Sequence, residues 1–127
     1  MRRPLPHHVV AAVFVGAGAL HFVIPRPYES IVPPALPRPR EIVYASGIAE
    51  IVGGLAVLPS RARPWAGRWL IALLLAVFPA NVYHAVAADE IPGQPVPRPL
   101  LWLRLPLQGV LIAWVWRATE ASGALRR

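Results

Sequence analysis

Residues 65–88 read WAGRWLIALLLAVFPANVYHAVAA, 24 positions with one Arg, no acid and an unbroken apolar run from Trp69 to Phe78. At ~1.5 Å rise per residue, a helix of that length crosses a hydrocarbon layer ~30 Å thick. Three further stretches share its character: residues 8–24 (HVVAAVFVGAGALHFVI), 42–58 (IVYASGIAEIVGGLAVL) and 100–116 (LLWLRLPLQGVLIAWVW). The second and fourth are short and carry Glu50 and Arg104, so taken singly either suits a soluble core helix. Four in succession leave no polar face for a soluble bundle to turn outward. The expected fold is all-α, a four-helix integral membrane bundle in one domain over residues 1–127, multi-pass in the plasma membrane.

Composition points the same way. The chain has 127 residues, 56% of them hydrophobic, with a mean hydropathy of +0.49. Only 15% are charged, against roughly 25% in soluble domains. The 13 basic residues are all Arg and outnumber six acids, giving a net charge of +7. No basic patch interleaved with aromatics accompanies that excess, so nucleic acid is not an expected partner. The absence of Cys excludes disulfides, thiolate-held iron–sulfur clusters and haem attachment through CxxCH. Arg2 and Arg3 before an apolar run, with Ala17 and Ala19 beyond, also fit a secretory signal. Because the run continues through His21-Phe-Val-Ile-Pro25, an uncleaved anchor is the better reading.

Orientation follows from the Arg distribution. Arg2, Arg3, Arg61, Arg63, Arg68, Arg117, Arg126 and Arg127 share one side of a four-span layout, eight in all. Arg26, Arg38, Arg40 and Arg98 lie on the other, joined by Arg104 near the end of its span, which makes five. Both termini are therefore expected in the cytoplasm. Trp65, Trp69, Trp114 and Trp116 fall at inner span ends and Trp102 at an outer one, where amphipathic rings anchor. Two outer connections are Pro-rich. Residues 25–40 (PRPYESIVPPALPRPR) hold six Pro and cannot form one continuous helix. Their Ile31, Val32 and Leu36 suggest a segment lying on the bilayer or capping the bundle. Residues 89–99 hold four more Pro, whereas the inner link at 59–64 is short and basic.

Ionisable groups inside a bilayer are costly and normally face a bundle interior. They are His21, Glu50, His84 and Arg104, with Asn81, Gln108, Tyr44 and Tyr83 as neutral companions. By helical rise, Glu50, Asn81 and Gln108 sit roughly 10–14 Å below the outer surface, and His21, His84 and Arg104 roughly 5–8 Å below it. Glu50 has Ser46, Gly47, Gly53 and Gly54 three and four residues away, a small-residue face suited to close helix contact. Asn81 shares a face with His84, and Arg104 with Gln108. Each also has a structural reading: Glu50 as an ion-pair partner of Arg104, the imidazoles as carbonyl-bonded interfacial groups, the amides as helix glue, Arg104 as a snorkelling cation. Pro79 leaves the Leu75 carbonyl without its helical donor.

The segments GALHFVIPRPYESIVPPALPRP, VYASGIAEIVGGLAVLP, LLAVFPANVYHAV and LRLPLQGVLIAW together resemble the DoxX-like family of small four-span membrane proteins. The matching positions are His21, Pro25, Pro33, Pro37, Gly47, Glu50, Gly54, Pro79, Asn81, His84, Arg104 and Gln108. The resemblance implies an association with quinone-linked redox chemistry, and the lack of Cys argues against direct thiol chemistry here.

Three functions fit these residues. In the first, a lipid-soluble ligand such as a quinone occupies an outer-leaflet pocket. His21, His84 and Glu50 there handle protons, and Asn81, Arg104, Gln108, Tyr44 and Tyr83 line the site. With no redox cofactor in the chain, a partner redox protein would exchange the electrons, unless self-association plays that part. In the second, Glu50 and a neutral His are the acid and base of a cofactor-independent isomerase or cyclase acting on a lipid. In the third, the chain is a non-catalytic assembly protein whose polar cluster fixes helix register. A metal site of His21, His84 and Glu50 lacks supporting HxxxH spacing.

Overall fold

A computed structural model describes residues 7–91 and 93–119. Four long helices carry the chain: α1 (His7–Val23), α3 (Pro39–Ala56), α4 (Arg63–Val86) and α5 (Arg98–Thr119). A short helix, α2 (Pro25–Ser30), follows α1, and a single 3₁₀ turn at Ala88–Glu90 follows α4. No strand occurs among the described residues. Arg2, Arg3, Arg126 and Arg127, which carry part of the orientation expectation, lie outside them.

The long helices start one to three residues earlier than hydropathy places them, and three of those starts are set by proline. Pro39, Pro64 and Pro99 stand in the first turns of α3, α4 and α5. A first-turn N–H has no partner within the helix, so proline removes nothing there and its fixed φ suits the helix. The same reason allows α2 in a segment that cannot be one continuous helix: Pro25 and Pro27 occupy its opening positions. Arg63 closes the other end of α3, donating from Nε to the Val57 carbonyl (2.8 Å) and from Nη2 to that of Leu58 (2.8 Å).

The helices pack as two intimate pairs, α1 with α3 and α4 with α5, joined chiefly between α3 and α4. Glycine makes the first pair. A Cβ on Gly18 would stand 2.6 Å from the Gly47 carbonyl oxygen, and one on Gly47 would stand 2.8 Å from the His21 Cβ. No side chain fits at either position, so the two backbones cross in direct contact. Gly53 makes room for α4 side chains, since a Cβ there would stand 2.5 Å from Leu70 Cδ2 and 2.7 Å from Trp69 Cδ1. The indole of Trp69 adds a bond to the Ala49 carbonyl at 2.9 Å.

Where α1 and α4 begin and α3 and α5 end, the bundle closes over a dry core of Val10, Phe14, Val57, Leu70, Leu74 and Val115. A smaller cluster of Ala85, Ala88 and Leu101 ties the far end of α4 to the start of α5. Outward faces are apolar as well: Val23, Leu75, Val86 and Val110 are 58–72% exposed. Among the described residues two helices, α4 and α5, are long and apolar enough to cross a membrane, with mean hydropathies of 1.8 and 1.3 over their best 18 residues. Only 22% and 17% of those windows are buried within the molecule, unlike the core helices of a soluble protein. The 17-residue α1 is equally apolar but shorter. In α3, Arg40, Glu41 and Glu50 interrupt the apolar pattern.

Candidate functional site

Away from the dry core, the two helix pairs part around a cavity of about 570 Å³. Its body is aliphatic, formed in part by Val43, Leu74, Val77, Leu107 and Leu111. The segment after α1 roofs it with Tyr28, Ile31 and Val32. Polar groups enter from two sides. The pair α1–α3 contributes His21, Ser46 and Glu50, and the pair α4–α5 contributes Asn81, Arg104 and Gln108.

On the first side, the Nδ1–H of His21 donates to the Ala17 carbonyl one turn back, at 2.7 Å. A carbonyl only accepts, so this bond places the proton on Nδ1 and, in the neutral ring, leaves Nε2 as an acceptor. The same Nδ1 lies 3.3 Å from Glu50 Oε2. That oxygen is sealed from solvent and takes no hydrogen bond. Buried polar atoms are nearly always bonded, so an orphan of this kind calls for an explanation. The Tyr28 ring stacks on His21 with centroids 4.0 Å apart, pinning the imidazole from the roof. Burial and then the neighbouring Glu50 charge hold the Tyr28 phenol above its usual range, so the hydroxyl keeps its proton.

The second side is a closed relay of neutral groups around one cation. Arg104 donates from Nη1 to His84 Nδ1 (3.1 Å) and from Nη2 to Asn81 Oδ1 (2.9 Å). Guanidinium nitrogens only donate, so His84 accepts at Nδ1 and is not protonated there. Asn81 Nδ2 donates to Gln108 Oε1 at 3.1 Å, and Gln108 Nε2 to the Leu74 carbonyl at 2.9 Å. The backbone oxygen satisfied by the side chain is thus that of Leu74, the neighbour of the Leu75 carbonyl that Pro79 leaves without a donor. Arg104 has no carboxylate within 4.0 Å among the described residues. The structural ion pair between Glu50 and Arg104 is therefore not formed: the two line one cavity from opposite helix pairs.

Five of the expected site residues, His21, Glu50, Asn81, Arg104 and Gln108, line the cavity together. His84 stands behind Arg104 and positions it instead of lining the cavity. Tyr44 stacks on Phe22 at 4.9 Å, outside the cavity, and Tyr83 does not line it either. Both tyrosines are corrected out of the lining, because their helical positions turn them from the face that carries Glu50 or Asn81. Tyr28 and Ser46 were not foreseen. Ser46 sits one turn before Glu50, a signal that its small size concealed, whereas Tyr28 reaches the site only through the fold of the Pro-rich segment. No cluster of three His, Asp or Glu able to hold a metal occurs among the described residues.

Neither the curated proteins nor the solved structures contain a match to this chain. The family model of a domain of unknown function, DUF8561, matches residues 10–119, which takes in both helix pairs and every residue of the cavity. On that match the chain belongs to the DUF8561 family.

Proposed function

We propose that this protein is a four-span plasma-membrane protein, with both termini cytoplasmic, that binds a lipid-soluble quinone in the outer half of its bundle. The observation that carries this reading is the cavity itself: an aliphatic body with a fixed cation on one side and an imidazole–carboxyl pair on the other. Ligand pockets of this type bury an apolar ligand and orient it with a few polar groups. Arg104, held by Asn81 and His84, would take one ring oxygen; His21 and Glu50 would face the other and hold or release a proton there. A quinone supplies two-electron redox chemistry when bound. The chain's residues supply position, exclusion of water and proton custody, and a partner redox protein exchanges the electrons. The redox association is what the sequence resemblance to DoxX-like proteins would imply.

The test is titration of a short-tailed benzoquinone into detergent-purified protein, read by tryptophan fluorescence. Saturable binding is expected, weakened at least tenfold in Arg104→Gln, since losing a charged hydrogen-bond donor costs about 1.5–3 kcal/mol. No saturable binding in the native protein would refute the proposal.

A second reading rests on the 3.3 Å approach of His21 to Glu50. That pair can act as acid and base in an isomerase or cyclase working on a lipid without any cofactor. Turnover of a lipid that vanishes in Glu50→Gln would favour it; the redox reading predicts no turnover without an electron partner.

A further inference from the structure

The wall of the cavity is thinnest on the flank of α5 that is turned from α4. Gln108 points at α4, since it bonds the Leu74 carbonyl, and Leu107 lies about 100° round the helix from it. Leu107 lines the cavity and is also 50% exposed, so a single side chain separates the interior from the surroundings there. No neighbouring helix thickens that wall. Among the described residues α1 gives the lining only His21, and α1 and α5 touch only slightly compared with the two close pairs. Leu103 and Val110, four residues before Leu107 and three after it, share its face and are 51% and 65% exposed. An apolar strip therefore passes the thin wall along the outside of α5.

Ile42 also lines the cavity and is exposed, but it stands three residues into α3, about 5 Å from its start and level with the roof. Leu107 stands nine residues into α5, about 14 Å from its start, which is acyl-chain depth in the four-span arrangement proposed above. A cavity of about 570 Å³ suits a molecule of drug size. It takes a quinone ring with its small substituents, and a long prenyl chain does not fit beside them. Arg104, which would hold a ring oxygen, is one turn from Leu107, so the shortest way from the ring to hydrocarbon is past that side chain. We infer that the ligand is a prenyl-tailed quinone whose ring fills the cavity and whose tail leaves between α1 and α5, past Leu107 and along Val110. This rests on the quinone-binding reading and deepens it by naming the tailed class and the exit. Lipid is as apolar as the strip, so the tail adds little affinity by lying there. The exit decides which ligands can be seated, not how tightly the ring is held.

The test uses a benzoquinone whose prenyl tail carries a diazirine on its first unit, bound to the native protein in detergent, irradiated and mapped by mass spectrometry. Label is expected on α5 between Leu103 and Val110, and excess tailless benzoquinone should abolish it. Displaceable label confined to the roof or to the start of α3 would overturn the inference. A second measurement closes the exit. Leu107→Trp should weaken the tailed ligand about tenfold or more, through overpacking at the gap, while tailless benzoquinone binds about as before. Equal affinities for the two ligands in a variant that still binds the ring would also overturn the inference. Should the variant fail to fold, the labelling of the native protein decides alone. A native protein that binds the tailless ring but not the tailed one refutes the tail and leaves the quinone-binding proposal standing. Binding of neither removes both.

Discussion

At the scale of single residues, the site depends on a contact that contains no side chain. Gly18 and Gly47 bring α1 against α3, and that crossing sets His21 beside Glu50. In Gly18→Ala the new methyl would meet the Gly47 carbonyl oxygen at 2.6 Å and the Ile51 Cγ1 at 2.7 Å. The carbonyl is backbone and cannot rotate away, so the helices must separate. The expected loss is about 1–3 kcal/mol in detergent unfolding, the usual cost of overpacking, with weaker ligand binding as His21 and Glu50 move apart. Gly109→Ala is the matched control: its methyl meets nothing within 4 Å, and stability should hold or rise by up to about 1 kcal/mol, the helix-propensity gain of Ala over Gly. Gln108→Leu tests the other side. It leaves the buried Asn81 Nδ2 without its acceptor and removes the side-chain donor to the Leu74 carbonyl, which should cost about 1–3 kcal/mol and loosen Arg104, measured as weaker ligand binding with little change in secondary structure by circular dichroism.

At the scale of elements, the roof over the cavity is the part that can move. α2 is six residues long with no buried member, and it is held by the stacking of Tyr28 on His21 and an ion pair between Glu29 and Arg40 at 3.0 Å. Exposed ion pairs contribute little, so the ring contact is the stronger hold. Tyr28→Ala should raise the ligand dissociation rate about 2- to 12-fold, the equivalent of the 0.5–1.5 kcal/mol typical of an aromatic pair. Stopped-flow displacement would measure it, and an unchanged rate would mean that the roof does not gate the cavity. The roof also marks the limit of what the chain discloses unaided. The long helices are legible because an apolar run of about 20 residues has few other outcomes. Glu50, Asn81, Arg104 and Gln108 are legible as a group because polar side chains on apolar helices must turn inward. Tyr28 is not legible, since its position comes from how Pro25 and Pro27 start a helix after a break. Tyr44 and Tyr83 mislead for the opposite reason: a tyrosine in a span suits either the interior or the interface, and hydropathy does not separate the two.

At the scale of the whole molecule, the question is which end of the bundle faces the cytoplasm, because that decides the leaflet from which the cavity is filled. The dry core lies at the end where α3 passes to α4, and the cavity at the end roofed by α2. Arg61, Arg63 and Arg68 gather beside the dry end, with Trp65 under the Arg68 guanidinium at 4.8 Å and Trp69 one turn on. At the roofed end, Glu29 offsets Arg40, Glu41 offsets Arg38 and Asp89 offsets Arg98, so part of the basic charge there is neutralised. Arg with aromatic anchors is normally retained on the cytoplasmic side, so the proposed orientation sets the cavity toward the outer leaflet. The chain has no Cys, so single cysteines report without background. Ala35→Cys, exposed in the roof segment, should react with a membrane-impermeant maleimide on intact cells. Ser60→Cys, exposed in the link between α3 and α4, should react only after permeabilisation. The reverse pattern would place the cavity in the cytoplasmic leaflet, where the same cation and carboxylate would draw their ligand from the opposite pool. Labelling of both positions in intact cells would mean that the four helices do not cross the bilayer as two hairpins.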